Sequence, residues 1–180
     1  KRCGHLDGKA VVDESTAIKR NRAAADARRD ENFLMMARTD IRASFDGQAG
    51  LDAATDRAKA LGDAGADAIF PEAMRSLEEF EAMRKAIDVP ILANMTEFGK
   101  SELFSTRQLA DVGINIVIWP VSMLRISMGA TSRALDTLIE EGHLTSKLDE
   151  MQHRADLYGL VDYEGYNRFD TSVFNFNVER

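Results

Sequence analysis

The sequence predicts an α/β fold made of four successive βα units, which amounts to half of an eight-stranded βα barrel. The first observation behind this prediction is a set of four short apolar runs that begin at residues 33, 66, 89 and 114. The second is that helical patterns separate the runs. The third is their spacing of 23 to 33 residues, which fits a strand with its crossover helix. A complete barrel takes about 250 residues, so 180 residues accommodate only part of one.

Each apolar run is interpreted as a strand that is covered on both faces. The runs comprise residues 33–37, 66–70, 89–93 and 114–119. Each is too short for a buried helix and too continuously apolar for a half-exposed strand, which is typical of a parallel sheet beneath helices. A small open, doubly wound sheet is the alternative. However, no Gly-x-Gly-x-x-Gly motif follows any run, so a dinucleotide site lacks support.

Capping signals mark the ends of the predicted helices. The first helix is expected over residues 13–28. Ser76 followed three residues later by Glu79 has the form of a capping box, and Ser105 with Gln108 repeats it. Three glycines follow helical patterns where a left-handed C-cap would lie: Gly65, Gly113 and Gly142. Helices and strands therefore alternate along the chain.

Composition and charge indicate a folded, acidic protein. The chain is 44% hydrophobic and 29% charged, so it can bury a core. Its net charge of −7 gives no general electrostatic attraction to nucleic acid or to an anionic membrane surface. Its single cysteine, Cys3, excludes an internal disulfide and a cysteine metal cage. No apolar run reaches the roughly 20 residues of a membrane-spanning helix, so we expect a cytoplasmic protein without nucleic-acid or membrane partners.

Polar side chains follow each predicted strand, at the position where barrel enzymes place their catalytic groups. These side chains are Arg38, Asp40, Glu72, Asn94, Thr96 and Arg125. If the strand ends converge, the combined arginine, carboxylate, amide and hydroxyl groups suit a small polycarboxylate ligand. The alternative is that they are polar only because loops are polar, with Arg38 and Asp40 forming a structural ion pair.

Cys3 lies in a short cationic segment at the start of the sequence. Lys1, Arg2 and His5 surround it, and cationic neighbours favour the reactive thiolate form of a cysteine. The adjacent Gly4 would allow the segment to act as a loop that closes over a substrate. The alternative is a terminal segment with one incidental thiol, and the spacing alone favours this second interpretation.

Four segments of the sequence carry a family resemblance. They are Lys-Arg-Cys-Gly-His over 1–5, Met-Ala-Arg-Thr-Asp over 36–40, Phe-Pro-Glu-Ala over 70–73 and Leu-Ala-Asn-Met-Thr-Glu-Phe-Gly over 92–99. In this order and spacing they resemble the isocitrate lyase / phosphoenolpyruvate mutase superfamily, and the resemblance covers essentially the whole chain. The last segment distinguishes two families within this superfamily. It is similar to the methylisocitrate lyase family, whereas isocitrate lyases carry a Ser-Pro-Ser-type motif at that position.

The resemblance implies a Mg²⁺-dependent carbon–carbon lyase (an oxo-acid lyase). Such an enzyme cleaves 2-methylisocitrate to pyruvate and succinate in the methylcitrate cycle of propionate degradation. By this analogy the succinate half leaves as an aci-carboxylate that Cys3 protonates, while Mg²⁺ stabilises the oxyanion on the pyruvate side. Three alternatives remain open: an isocitrate lyase, a relative of the oxaloacetate decarboxylase or phosphonopyruvate hydrolase type, and a non-catalytic remnant that only associates.

The same resemblance implies roles for individual residues. The catalytic set is Cys3, Lys1, Arg2 and His5. The substrate-binding set is Cys3, Gly4, Arg38, Glu72, Asn94, Thr96, Arg125 and Arg154. Phe70 and Pro120 would shape the pocket around the extra methyl group of the substrate. No metal ligand is assigned within the chain, because the family places its Mg²⁺ ligands upstream of the catalytic loop.

The resemblance also predicts how the chain is organised. It would be the C-terminal half of a (β/α)8 barrel in one partial domain, with the catalytic loop over 1–13, four strands over 14–142 and a helical extension over 143–180. Because the sequence opens on Lys1 within a motif, we expect a fragment that is inactive in isolation. The family resemblance implies a homotetramer that exchanges its C-terminal helices, and the aromatic residues near the end of the chain are compatible with such contacts.

Overall fold

The computed structural model describes residues 10–174 of the chain. The described residues form two compact units, over 10–125 and over 126–174. Within the described residues, every helix is either too short or too polar to cross a lipid bilayer.

The first unit alternates helices and strands in the predicted order. Its elements are α1 (Glu14–Ala27), β1 (Met36–Thr39), a 3-10 helix (Ile41–Ser44), α2 (Gly47–Asp63), β2 (Ala68–Pro71), α3 (Leu77–Ala86), β3 (Leu92–Asn94), α4 (Thr106–Asp111) and β4 (Ile116–Ile118). Helix α5 (Ser122–Glu141) begins in this unit. Each strand begins two or three residues later than its apolar run. In the first run, for example, Phe33 and Leu34 are more than half exposed and precede the ladder.

The capping box predicted at Ser105 is confirmed, whereas the one predicted at Ser76 forms only in its hydroxyl half, because the Glu79 carboxylate binds Arg42 and Arg75 N. The Asp13 side chain accepts a hydrogen bond from Thr16 N at 2.8 Å and caps α1. The Ser76 hydroxyl accepts from Glu79 N at 3.3 Å at the start of α3, and Ser105 forms a complete capping box on α4. Three glycines adopt the left-handed backbone expected of C-caps: Gly65, Gly113 and Gly142.

The strands of the first unit pair in parallel, as predicted, and follow one another in chain order. They form two two-stranded ladders, β1 with β2 and β3 with β4, and not one continuous four-stranded sheet. An isolated parallel bridge between Ile69 and Ile91 connects the two ladders. In the first ladder Thr39 lies opposite Pro71. Parallel pairing places the carboxyl ends of paired strands at the same edge, so the polar residues that follow them come together there.

The hydrophobic core lies between these strands and the helices that cover them. Phe80 and Met83, on the inward face of α3, are 2% and 0% exposed. Other core residues with no exposed surface are Ala54, Ala58, Ala68, Ile69, Ile91, Ala93, Met95 and Leu109. This core fixes the backbone from which the strand-end side chains project.

Three residues other than glycine adopt left-handed backbone conformations close after the strand ends. They are Ala73, Phe98 and Val121, with φ of 62°, 60° and 57°. An L-residue in this region costs roughly 1–2 kcal/mol, and such strain is concentrated at functional sites in proteins. The strain therefore lies at the edge where the polar strand-end residues are found.

The second unit, over its described residues 126–174, is helical. It contains the remainder of α5, a 3-10 helix (Thr145–Glu150), α6 (Arg154–Leu160) and α7 (Tyr163–Phe174). None of these described residues is buried. Leu160 and Phe174 are 75% and 85% exposed, and the rings of Tyr158 and Tyr163 stack with centroids 4.5 Å apart. This unit therefore exposes a large amount of apolar surface for its size.

Candidate functional site

The predicted site residues fall into three groups by position. Lys1, Arg2, Cys3, Gly4 and His5 lie outside the described residues, so their roles stay predictions. Arg154 is the first residue of α6 in the second unit and is exposed. The others lie at or after the strand ends of the first unit: Arg38, Phe70, Glu72, Asn94, Thr96, Pro120 and Arg125.

Arg38 connects the ends of the first two strands. Its Nε and Nη2 donate to the two carboxylate oxygens of Asp40 at 2.8 and 2.9 Å. Its Nη2 also lies 3.1 Å from Oε2 of Glu72, which directly follows β2. The guanidinium carbon lies 4.8 Å from the ring centroid of Phe70, a cation–π distance. Arg38 is therefore both the structural partner of Asp40 and the neighbour of Glu72.

Glu72 and Asn94 extend this arrangement to the third strand. The Glu72 side chain is 1% exposed, and Asn94 Nδ2 lies 3.3 and 3.5 Å from its two carboxylate oxygens. The Asn94 Oδ1 atom is buried and has no hydrogen-bond partner among the described residues. A buried acceptor without a partner is unfavourable. This oxygen is therefore suited to accept a hydrogen bond from a ligand hydroxyl.

We call this arrangement the Arg38–Glu72–Asn94 cluster. Two further predicted residues, Thr96 and Pro120, also follow strand ends. Thr96, two residues beyond Asn94, is 9% exposed. Pro120, two residues beyond β4, is half-buried. Their positions agree with a strand-end location, and their contacts with a substrate stay predictions.

Arg125 belongs to a second polar cluster, with a partner that the sequence analysis did not assign. Arg125 Nη1 donates to Glu97 Oε2 at 2.8 Å, and the Ser122 hydroxyl donates to Glu97 Oε1 at 2.5 Å. The hydrogen bond from Ser122, with those from the Glu97 backbone and Arg125, holds the pKa of the Glu97 carboxyl below its ordinary value. Glu97 is therefore ionised at neutral pH.

The sequence analysis also did not predict a buried ion pair between Arg42 and Glu79. The side chain of Arg42 is 2% exposed, and its Nε donates to Glu79 Oε2 at 3.0 Å while its Nη2 donates to Oε1 at 2.5 Å. Glu79 Oε2 also accepts from Arg75 N at 2.9 Å. The Glu79 carboxylate, which the sequence assigned to a capping box with Ser76, therefore binds Arg42. The pair joins the segment after β1 to the segment after β2.

The pKa of Glu79 reflects two opposing influences. Burial acts to raise the pKa of this carboxyl, but hydrogen bonds from Arg42 and from Arg75 N, with the charges of both arginines, outweigh it. The net effect is a pKa below the ordinary value. The Glu79 hydrogen bond in turn raises the pKa of Arg42. Both groups are therefore charged within the folded protein.

The described residues do not form a Mg²⁺ site. Among residues 10–174, no group of three or more histidine, cysteine, aspartate or glutamate side chains could hold a metal ion. Both carboxylate oxygens of Asp40 bind Arg38, and Glu72 is engaged by Arg38 and Asn94. Carboxylates that already neutralise an arginine are poor ligands for a hard cation.

A cavity of about 630 Å³ lies beside β1. Arg38, Thr39 and Asp40 line one part of it, and Asn21 and Arg57 line another. Arg57 Nη1 donates to Val12 O at 2.9 Å. The volume of the cavity is within the range of small-molecule pockets. Glu72 and Asn94 do not line this cavity, so it does not coincide with the Arg38–Glu72–Asn94 cluster.

Comparison with known families identifies the chain's relatives. The phosphoenolpyruvate phosphomutase family model matches residues 3–139, which is most of the chain and includes both strand-end clusters. The chain belongs to the phosphoenolpyruvate phosphomutase family. This confirms the superfamily resemblance of the four sequence segments.

Within the phosphoenolpyruvate phosphomutase family, the chain is a homologue of 2-methylisocitrate lyases. It is 50% identical over 179 residues to a probable 2-methylisocitrate lyase of Corynebacterium glutamicum, covering 99% of this chain and 57% of the relative. It is 44% identical over 173 residues to the 2-methylisocitrate lyase of Shewanella oneidensis, covering 96% of this chain and 57% of the relative. The chain therefore spans somewhat more than half the length of these relatives.

Solved structures agree with the phosphoenolpyruvate phosphomutase family fold. An oxaloacetate acetylhydrolase in complex with the inhibitor 3,3-difluorooxalacetate matches with a TM-score of 0.83 and 29% identity, covering 99% of this chain and 59% of that one. A phosphonopyruvate hydrolase, solved with oxalate and Mg²⁺, matches with a TM-score of 0.72 at 20% identity, a likeness of fold alone. The chain thus has an α/β fold that corresponds to about 60% of the barrel structures of this superfamily.

Proposed function

We propose that the chain forms part of the active site of a 2-methylisocitrate lyase, which cleaves 2-methylisocitrate to pyruvate and succinate. The observation that carries the proposal is the Arg38–Glu72–Asn94 cluster, in which three successive strand ends supply a cation, a buried carboxylate and an unpaired amide oxygen. The homology to 2-methylisocitrate lyases supports the choice of substrate. We further propose that the chain corresponds to the C-terminal half of the barrel, with the division at residues 13 and 142 that the sequence predicts.

The proposed chemistry assigns a task to each described residue. Asn94 Oδ1 would accept a hydrogen bond from a substrate hydroxyl, since this buried oxygen has no partner among the described residues. The Arg125 guanidinium, whose side chain is 39% exposed, would bind a substrate carboxylate. Thr96, close to Asn94, would donate its hydroxyl to a carboxylate oxygen. Glu72 would hold the amide of Asn94 so that its oxygen faces the ligand.

The bond-breaking step of the proposed reaction involves residues outside the described part. The substrate hydroxyl gives its proton to a base supplied from outside the described residues and becomes the carbonyl of pyruvate, and the carbon–carbon bond breaks. The electron pair of that bond moves onto the succinate half, which Cys3 protonates at carbon, with Lys1, Arg2 and His5 balancing the charge. Mg²⁺ remains the proposed cofactor, with ligands supplied from outside these 180 residues.

A thermal-shift experiment on the 180-residue chain tests this function. We expect 2-methylisocitrate to raise the unfolding temperature more than isocitrate does, because only a ligand that binds the folded state stabilises it. Asn94→Ala should abolish most of the shift, whereas Asn32→Ala, at an exposed position, should leave it intact. The isolated chain with Mg²⁺ is expected to release no pyruvate from 2-methylisocitrate.

The outcomes of this experiment separate the alternatives. A larger shift with isocitrate would favour an isocitrate lyase. Equal melting temperatures with and without either ligand would favour a non-catalytic remnant. Pyruvate release by the isolated chain would contradict the proposal that part of the site lies outside it.

We also propose that the chain self-associates through the helices within residues 126–174. The support is that no described residue of this unit is buried, while Leu160, Phe169 and Phe174 are 75%, 64% and 85% exposed. Apolar surface of this extent is typical of a subunit interface. Sedimentation velocity should show an oligomer that Phe169→Glu shifts towards monomer. Asn167→Glu, the matched charge change on α7, should leave the oligomer unchanged, and a monomeric wild-type chain would contradict the proposal.

A further inference from the structure

We propose that Glu97 is a positioning residue that fixes the orientation of Arg125 for binding a substrate carboxylate. This inference rests on the proposed function, in which Arg125 contacts the substrate. It begins from two hydrogen bonds: Arg125 Nη1 donates to Glu97 Oε2 at 2.8 Å and to Glu97 O at 3.1 Å. Because one side chain and its own backbone both accept from the same nitrogen, they restrict how the guanidinium can turn.

The second oxygen of Glu97 is held as firmly as the first. Ser122, the first residue of α5, is 4% exposed and donates its hydroxyl to Glu97 Oε1 at 2.5 Å. Ser122 and Arg125 both lie in the first turn of α5. The Glu97 carboxylate therefore cannot rotate away from Arg125 without breaking a hydrogen bond to a buried residue. A negative charge at this end of a helix is also electrostatically favourable.

The ring of Phe98 restricts Arg125 from another direction. The guanidinium carbon lies 5.4 Å from the centroid of the Phe98 ring, within cation–π range. Phe98 is 95% exposed and has a φ of 60°, so this large apolar residue is held in solvent by a strained backbone. The contact of the Phe98 ring with Arg125 explains why the left-handed backbone of Phe98 and the exposure of its ring are maintained.

These contacts leave one edge of the Arg125 guanidinium available. Within residues 10–174, Arg125 donates its hydrogen bonds from Nη1. The edge formed by Nε and Nη2 has the geometry that binds a carboxylate with two parallel hydrogen bonds. Glu97 offsets part of the positive charge of Arg125. Glu97 therefore helps ligand binding by orienting the guanidinium and not by strengthening its attraction for a carboxylate.

A purely structural role for Glu97, as a cap for the start of α5, is the competing explanation. The two roles use different oxygens of the same carboxylate. Ser122→Ala removes the hydrogen bond to the helix start and keeps the pairing with Arg125. Glu97→Gln removes the charge that pairs with Arg125 and keeps an oxygen that can accept from Ser122. The two variants therefore distinguish positioning from capping.

The first test measures Arg125 directly, by NMR of the 180-residue chain labelled with ¹⁵N-arginine. We expect Glu97→Gln to speed rotation about the Nε–Cζ bond of Arg125 roughly tenfold. Glu102→Gln, a matched charge change at an exposed position, should leave the rate within twofold of wild type. Ser122→Ala should raise the rate less than Glu97→Gln does, because the ion pair between Glu97 and Arg125 remains. The paired guanidinium of Arg42 serves as an internal reference that none of the three variants should alter. An unchanged rate in Glu97→Gln, or an equal increase in Ser122→Ala, would overturn the proposal.

The second test titrates succinate into the same four proteins and measures the dissociation constant by chemical-shift changes. Glu97→Gln should weaken succinate binding roughly tenfold relative to Glu102→Gln. Succinate binding that survives Glu97→Gln at full strength would overturn the proposal. If the wild-type chain does not bind succinate, the proposed function loses its support, while the rotation rates still decide whether Glu97 orients Arg125.

Discussion

Replacement of Arg42 by methionine is expected to lower the free energy of unfolding by about 3–5 kcal/mol at neutral pH. The variant leaves Glu79, whose side chain is 15% exposed, charged and without its bidentate partner. Methionine fills much of the space of the arginine, so the loss reports the uncompensated charge more than a cavity. Urea denaturation followed by circular dichroism measures the change.

The double variant Arg42→Met with Glu79→Leu is the control, because it removes both charges at once. It should recover most of the lost stability, since apolar replacements of buried ion pairs are often neutral. A double variant less stable than Arg42→Met would contradict this explanation.

The pH dependence of the Arg42→Met variant follows from Glu79. In the wild type the folded-state pKa of Glu79 is lowered, so its contribution is present above the unfolded-state value and is lost as the pH falls. Without Arg42, only Arg75 opposes the effect of burial, so the folded-state pKa of Glu79 is higher than in the wild type and the variant loses less stability as the pH falls. The difference between wild type and variant should therefore narrow on acidification towards pH 4. If the difference in the free energy of unfolding between wild type and variant widened on acidification, Glu79 would not be the source of the effect.

Two glycines of α2 are expected to respond to alanine in opposite directions. A Cβ on Gly50 would lie 2.4 Å from both Phe45 O and Arg42 Nη1, so Gly50→Ala should destabilise the chain by about 1–3 kcal/mol. A Cβ on Gly62 would meet only Val89 Cγ2 at 3.9 Å, so Gly62→Ala should stabilise by about 0.5–1 kcal/mol. Parallel denaturation curves measure both changes. The steric argument would be wrong if the two variants shifted in the same direction.

The helices were predictable because their signals are local. Asp13, Ser76 and Ser105 each cap a helix through a hydrogen bond to a residue three positions away, which a linear pattern contains. The strand starts were predicted too early because hydropathy does not show at which residue the pairing between strands begins. Phe33 is apolar yet 66% exposed, and it precedes the first strand pairing. The division of the sheet into two ladders depends on backbone geometry between distant segments, which no local pattern specifies.

The candidate site was predictable where it follows strand ends and not where it depends on remote partners. Arg38, Glu72 and Asn94 follow three strands in parallel order, and parallel pairing brings such residues together. Arg42 and Glu79 are 37 positions apart, and hydropathy treats an arginine as a surface residue, so their buried pairing left no signal. Glu97, the partner of Arg125, lies three residues after the end of β3, and that position was the available clue to its role.

The left-handed backbones of Ala73, Phe98 and Val121 affect how far this protein can be stabilised by substitution. Together they lower the free energy of unfolding by roughly 3–6 kcal/mol, if each costs about 1–2 kcal/mol. Glycine would release that strain, yet glycine at position 98 would also remove the ring that faces Arg125. Selection for thermostability without regard to activity would therefore favour glycine at these three positions. Glycine at these positions in related sequences would indicate proteins in which the site is no longer under selection.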